Sequence, residues 1–117
     1  MAAPNIVNVA TITGKTAVQA VGTSATAIVT NSAASNKVFK INALYVSNVD
    51  GVNSASVTVD LFRSSTAYKI AHTITVPADA TLDVITKPLY LEEGDSLRLT
   101  ASVSGDIEAV CSYEEIS

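Results

Sequence analysis

The chain has 117 residues, of which 48% are hydrophobic and only 15% charged, with a formal net charge of −4. This length suits one domain over residues 1–117, with a core that needs no disulfides. The seven lysines and arginines form no basic cluster, so we expect no direct nucleic-acid partner. No run of 18 apolar residues occurs, so we expect no membrane-spanning segment.

Short apolar runs separated by turn residues follow one another along the whole chain. In chain order, the predicted strands cover residues 6–13, 16–21, 25–30, 38–49, 57–62, 68–76, 82–85, 97–103 and 107–113. Many of these runs alternate between apolar and polar residues, the period of a strand with one buried face. About eight or nine strands with frequent turn signals predict an all-β, single-domain antiparallel β-sandwich. We expect a jelly-roll-like strand order, with an immunoglobulin-like order as the alternative.

The clearest turn is the acidic segment 91–95, Leu-Glu-Glu-Gly-Asp, which precedes the alternating strand that starts at Leu97. Its single glycine is Gly94, and if Gly94 has positive φ, valine at this position should strain the turn. Calcium prefers several oxygens from one loop, but the irregular spacing of Glu92, Glu93 and Asp95 favours a solvated turn. We therefore expect neither a metal nor another cofactor.

Catalytic chemistry has few candidate residues. His72 is the only histidine and shares its register with Ile70 and Ile74, which predicts that it packs against the core or lies at the end of a strand. Cys111 is the only cysteine and lies in a strand pattern, which is typical of an inert buried thiol. No nucleophile elbow or phosphate-binding glycine loop accompanies them. The sequence predicts that the protein is not an enzyme.

A surface contacted by other proteins is the better prediction. The candidate interface residues are Leu44, Tyr45, Val46, Tyr68, Tyr90, Val110 and Tyr113. Leu44, Val46 and Val110 break strict alternation, so either a neighbouring protein or a second layer of the same fold covers them. Tyrosine is enriched at interfaces, but the four tyrosines could equally cap the ends of the sandwich.

Segments 37–48, 57–62, 76–82, 91–99 and 108–117 together resemble small virion structural proteins of tailed phages, above all those of contractile-tailed marine cyanophages. The resemblance implies a virion location, no active-site residues, and capsid or tail subunits as partners. We expect a head decoration or cement subunit, or a neck or tail component. A homo-oligomer is expected, with a trimer preferred.

Two other functions remain open. The first alternative is a receptor- or glycan-binding β-sandwich module at a fibre or tail tip, which would need an aromatic cleft. The second is a cellular adhesion or pilus-like subunit. It ranks lower because an exported subunit would carry a signal, and Met1–Asn5 has no basic region and no apolar run.

Overall fold

A computed structural model, which describes residues 4–5 and 8–117, shows two antiparallel sheets packed face to face. The strands are β1 (Ile12–Val21), β2 (Thr26–Thr30), β3 (Val38–Asn48), β4 (Ala55–Arg63), β5 (Thr66–Val76), β6 (Thr81–Asp83), β7 (Leu89–Leu91), β8 (Ser96–Ala101) and β9 (Ile107–Ile116). The predicted strand 6–13 falls partly outside the described residues. Across the described residues, there is no helix with the length and apolar character needed to cross a membrane.

The strand order identifies the sandwich as a jelly roll. The first sheet has the order β1-β9-β3-β6, and the second has the order β2-β8-β4-β5. β7 also pairs with β3. Because β6 pairs with residues 45–47 of β3 and β7 pairs with residues 39–41, β6 and β7 together act as one interrupted strand. Two four-stranded sheets of this kind form a jelly roll. Consecutive strands β1 and β2 lie in different sheets, so the immunoglobulin-like alternative, which pairs its first two strands, is not adopted.

A β-bulge in β3 decides which of its side chains enter the core. The pairing of β3 with β9 shifts between Ile41 and Ala43, so Asn42 is the extra residue. Ile41 is buried before the bulge, and Leu44 and Val46 are buried after it, all with 0% exposure. The interface prediction for Leu44 and Val46 is therefore wrong, because the bulge turns them inward and the second sheet covers them.

Both sheets contribute to a single core. Its members include Val21, Phe39, Ile41, Leu44, Val46, Leu91, Ile107, Ala109 and Cys111 from the first sheet, and Val29, Val57, Val59, Val76, Leu97 and Leu99 from the second. The predicted alternation of β8 is confirmed: Leu97 and Leu99 are fully buried, whereas Arg98 between them is partly exposed. This single apolar layer holds the two outer faces in fixed positions.

The edge strand β5 departs from simple alternation. Its pairing with β4 shifts twice, between Val57 and Val59 and again between Val59 and Asp60. Thr73 lies at φ 47°, and its amide donates to Thr58 Oγ1 at 3.0 Å. His72 beside it is exposed. The prediction that His72 packs against the core is therefore wrong, because the bulges uncouple its face from the period of two.

Candidate interaction surface

An exposed apolar row crosses the outer face of the first sheet. Val18 of β1 lies opposite Val110 of β9, and Val110 lies opposite Tyr45 of β3. Their residue exposures are 75%, 40% and 44%, respectively. Val110 points outward because its chain neighbours Ala109 and Cys111 point into the core, and successive side chains of a strand alternate between faces. We call Val18, Val110 and Tyr45 the outer row.

Small side chains and polar side chains flank the outer row. Thr16, Ser112 and Ala43 form the next cross-strand row on one side. Ala20, Glu108 and Ser47 form it on the other side. An open depression of about 300 Å³ runs between β1 and β9, where it is lined by Val18, Gln19, Ala20, Glu108, Ala109 and Val110. A face with an apolar centre and polar surroundings suits contact with another protein surface.

The remaining interface candidates are dispersed. Tyr113 is half-buried, and its ring centroid lies 5.6 Å from that of Phe39. Tyr90 is exposed on β7, opposite Lys40 and at a different level of the sheet from the outer row. Tyr68 is exposed on β5, the edge strand of the second sheet. The structure therefore brings together Tyr45 and Val110 alone of the predicted set.

Val18 belongs to the surface but is absent from the sequence prediction. The segment around it, Ala17 to Val21, has apolar residues in both alternating positions. The polar residue Gln19 is the one that turns inward, where its Nε2 donates to the Ala27 carbonyl at 3.0 Å across the two sheets. The polarity of the residues therefore predicts the wrong face for Val18 and Gln19. The correct faces follow from the register with the partner strand β9.

The acidic turn 92–95 forms a structural clamp. Asp95 is 2% exposed, and its carboxylate accepts hydrogen bonds from Arg63 Nε and from the Glu92 amide, both at 2.8 Å. The Glu93 carboxylate accepts a hydrogen bond from the backbone N–H of Asn36 at 3.0 Å. The predicted solvated turn is thus wrong for Asp95. Gly94 has a positive φ of 90°, which is the condition under which a larger side chain strains the turn.

Electrostatics reinforces that clamp. The Arg63 guanidinium, which hydrogen-bonds to Asp95, holds the pKa of that carboxyl below its ordinary value despite burial. The pKa of Arg63 is raised in turn. Residues 4–5 and 8–117 contain no group of three or more histidine, cysteine, aspartate or glutamate side chains that could hold a metal ion.

A second ion pair lies between β4 and β8. Asp60 is 1% exposed and accepts from Arg98 Nε at 2.8 Å. The Arg98 guanidinium carbon lies 4.0 Å from the centre of the Phe62 ring, within range of a cation–π contact. The charge of Asp60 is therefore balanced by Arg98, and its carboxylate is hydrogen-bonded, as burial of a carboxylate requires. These charges join strands of the second sheet.

The cysteine is enclosed in the core. Cys111 has 0% exposure, and burial raises the pKa of its thiol to about 11. The thiolate is the nucleophilic form, so this thiol is protonated and unreactive at neutral pH. Cys111 can neither attack a substrate nor pair with another cysteine while the sandwich is folded.

No protein-family model matches the chain, and no curated protein matches it. Its fold is similar to that of a solved protein described under the words "Bacillus endospore appendages form a novel family of disulfide-linked pili". The TM-score is 0.53 with 14% sequence identity, and the match covers 92% of this chain and 88% of that chain. At this identity the likeness concerns the fold.

Proposed function

We propose that this protein is a non-enzymatic structural subunit that assembles in many copies. The observation that carries the proposal is the outer row, in which Val18, Val110 and Tyr45 lie side by side and exposed on the outer face of the first sheet. Exposed apolar groups that lie next to one another typically mark a contact with another protein. Many such contacts, each weak alone, give a stable assembly because every bound subunit raises the effective concentration of the next contact.

The chemistry of the polar residues supports a role without catalysis. Asp60 and Asp95 are each neutralised by an arginine, and Cys111 is a protonated, enclosed thiol. His72 is exposed on the edge strand β5. A general base must be free to accept a proton, and the arginine-paired carboxylates and the protonated thiol are not free to do so.

The fold of the neighbour supports the same class of role. The description of that protein names pili, and this chain shares its fold. Those pili are described as disulfide-linked. Because Cys111 is buried here, we propose non-covalent contacts between the subunits of this protein.

The finer proposal is a component of a tailed-phage particle, which rests on the sequence resemblance. In that setting the partners are capsid or tail subunits together with further copies of this chain, and the location is the virion. A head decoration or cement subunit would occur in hundreds of copies, whereas a neck or baseplate component would occur in about a dozen. An appendage subunit, as in the structural neighbour, would be found in filaments instead of phage particles.

Quantitative mass spectrometry of density-purified phage particles and of sheared cell-surface filaments tests the proposal. We expect the chain in one of these two fractions at a fixed ratio to the main structural protein. Recovery in the phage fraction supports the virion assignment, and recovery in the filament fraction replaces it with an appendage. Recovery of the chain only among free monomeric proteins would contradict the structural role.

A further inference from the structure

The edges of the two sheets are protected unequally. β5 carries two register shifts, β2 has five residues and one register shift, and β6 and β7 have three residues each. Natural sheets use short strands and bulges in this way to prevent unwanted pairing with other chains. β1 has neither device: its ten residues pair with β9 in ten consecutive steps without a register shift.

The free side of β1 offers a regular row of backbone groups. Among the described residues, the hydrogen-bonded strand partner of β1 is β9, which leaves its other side open. Lys15 is its one charged residue, and Lys15 Nζ is already held by Glu115 at 2.8 Å. Charged side chains that would repel an incoming strand are therefore missing from the middle of this edge, where Val18 is 75% exposed.

We propose that β1 pairs antiparallel with β1 of a second copy of this chain, about a two-fold axis at Val18. This inference rests on the proposed function, for which it names the partner and the contact. Because opposed residues of an antiparallel pair share one face, Val18 then faces Val18 of the second copy. The two outer rows join into one stripe of six side chains: Tyr45, Val110 and Val18 from each copy.

The shape of the edges argues for a second β1 as the occupant. A long, unbroken edge needs a partner of equal regularity, and within the described residues β1 is the edge strand that provides it. A contact of this kind is isologous and closes as a dimer. A trimer would require a heterologous contact with a different edge, and those of β2 and β5 contain bulges. The preferred trimer is therefore replaced by a dimer in this proposal.

The size of the contact predicts its strength. The Val18-centred register pairs Lys15 through Val21, which is about 24 Å of strand at about 3.4 Å per residue. With an edge about 20 Å deep for two stacked sheets, the dimer buries about 1,000 Å² in total. This lies at the lower limit of specific interfaces. We expect a dimer that dissociates in the micromolar range and is reinforced by further contacts in the assembly.

Analytical ultracentrifugation of the full chain tests the pairing. The wild type is expected to sediment with twice the 12.1 kDa mass of one chain at high micromolar concentration. Val18→Lys places two like charges opposite each other at the axis, so the dimer dissociation constant should rise at least about tenfold. Val52→Lys is the matched control, because Val52 is 83% exposed outside the strands and its change should leave the constant unaltered.

Cysteine cross-linking tests the axis itself. Val18→Cys should form a disulfide-linked dimer under mild oxidation, since residues on a two-fold axis lie opposite their own copies. Thr75→Cys, on the bulged edge β5, should remain uncross-linked, and the buried Cys111 should not interfere. A wild type that is monomeric up to about 1 mM, or equal cross-linking of the two variants, would overturn the pairing.

These outcomes differ from those that test the proposed function. If the chain is found in purified particles or filaments but is monomeric and uncross-linked in solution, the β1 pairing is wrong and the structural role stands. If the β1 dimer forms but the chain is absent from both assemblies, the structural role is wrong and the pairing stands.

Discussion

Replacing Asp95 by alanine should destabilise the fold, because it removes the buried carboxylate at the centre of the clamp. The carboxylate is 2% exposed and accepts hydrogen bonds from Arg63 Nε and the Glu92 amide, each at 2.8 Å. A hydrogen bond to a charged group contributes about 1.5–3 kcal/mol. Since the Arg63 side chain is 41% exposed, water can replace part of the hydrogen bonding that Arg63 loses with Asp95. We therefore expect a loss of about 3 kcal/mol in the free energy of unfolding.

Differential scanning calorimetry measures this loss directly. At about 2.1 cal/mol/K per residue, the chain unfolds with an entropy of about 0.25 kcal/mol/K, so 3 kcal/mol corresponds to a fall in Tm of about 12 °C. Glu92→Gln is the control, because Glu92 is 68% exposed and its pair with Arg63 contributes about 1 kcal/mol or less. If Asp95→Ala melts within about 3 °C of the wild type, the hydrogen bonds of Asp95 contribute far less than about 3 kcal/mol to the free energy of unfolding.

The same clamp predicts a dependence on pH. Arg63 lowers the pKa of Asp95 in the folded state from its ordinary value of 3.8. Ionised Asp95 therefore stabilises the fold above the unfolded pKa, and this contribution is lost as the pH falls through the lower, folded value. As the pH falls below about 4, Asp95→Asn should lose less stability than the wild type, because the asparagine has no carboxylate to protonate. Equal slopes of Tm against pH for the two proteins would refute the ion pair.

Three further experiments test the turn, the bulge and the core. Gly94→Val should lower the free energy of unfolding by roughly 1–3 kcal/mol, because Gly94 lies at φ 90°. Gly22→Ala should be nearly neutral, because the φ of Gly22 is not positive and the added methyl meets no atom within 4 Å. Thermal melting compares the two variants. Leu44→Ala should cost about 2–5 kcal/mol, and Val110→Ala less than about 1 kcal/mol, when urea unfolding is followed by circular dichroism; similar costs would mean that the β3 bulge is misplaced. The Cys111 thiol should react with a thiol reagent only at the rate of unfolding, so fast labelling of the native protein would contradict its 0% exposure.

The sequence predicts the sandwich well where strands alternate without interruption. Leu97 and Leu99 are buried as their spacing indicates, and Gly94 has the positive φ that a tight turn needs. These features are local, because the period of two and the freedom of glycine act within a few residues. The fold class can therefore be predicted from short segments of the sequence.

Bulges account for the main errors. One extra residue, Asn42, reverses the faces of β3, so Leu44 and Val46 enter the core instead of facing a neighbour. The bulges of β5 likewise leave His72 exposed. A bulge is defined by pairing with another strand, and that partner is distant along the chain. Reasoning from periodicity alone cannot locate it.

The candidate surface was predictable only in part. Tyr45 and Val110 were expected at an interface, but their adjacency depends on the register between β3 and β9. Val18 joins them through the register between β1 and β9, and its segment has no clear alternation. A surface row is a property of three strands side by side, so it becomes visible only once the sheet has been assembled.

Electron cryomicroscopy of the purified particles or filaments that contain the chain tests the central claim most directly. A structural subunit should appear as many copies of this two-sheet sandwich in a regular arrangement, with the outer row of Val18, Val110 and Tyr45 covered by neighbouring protein. A reconstruction without density for the sandwich, or one in which the outer row faces solvent in every copy, would contradict the claim.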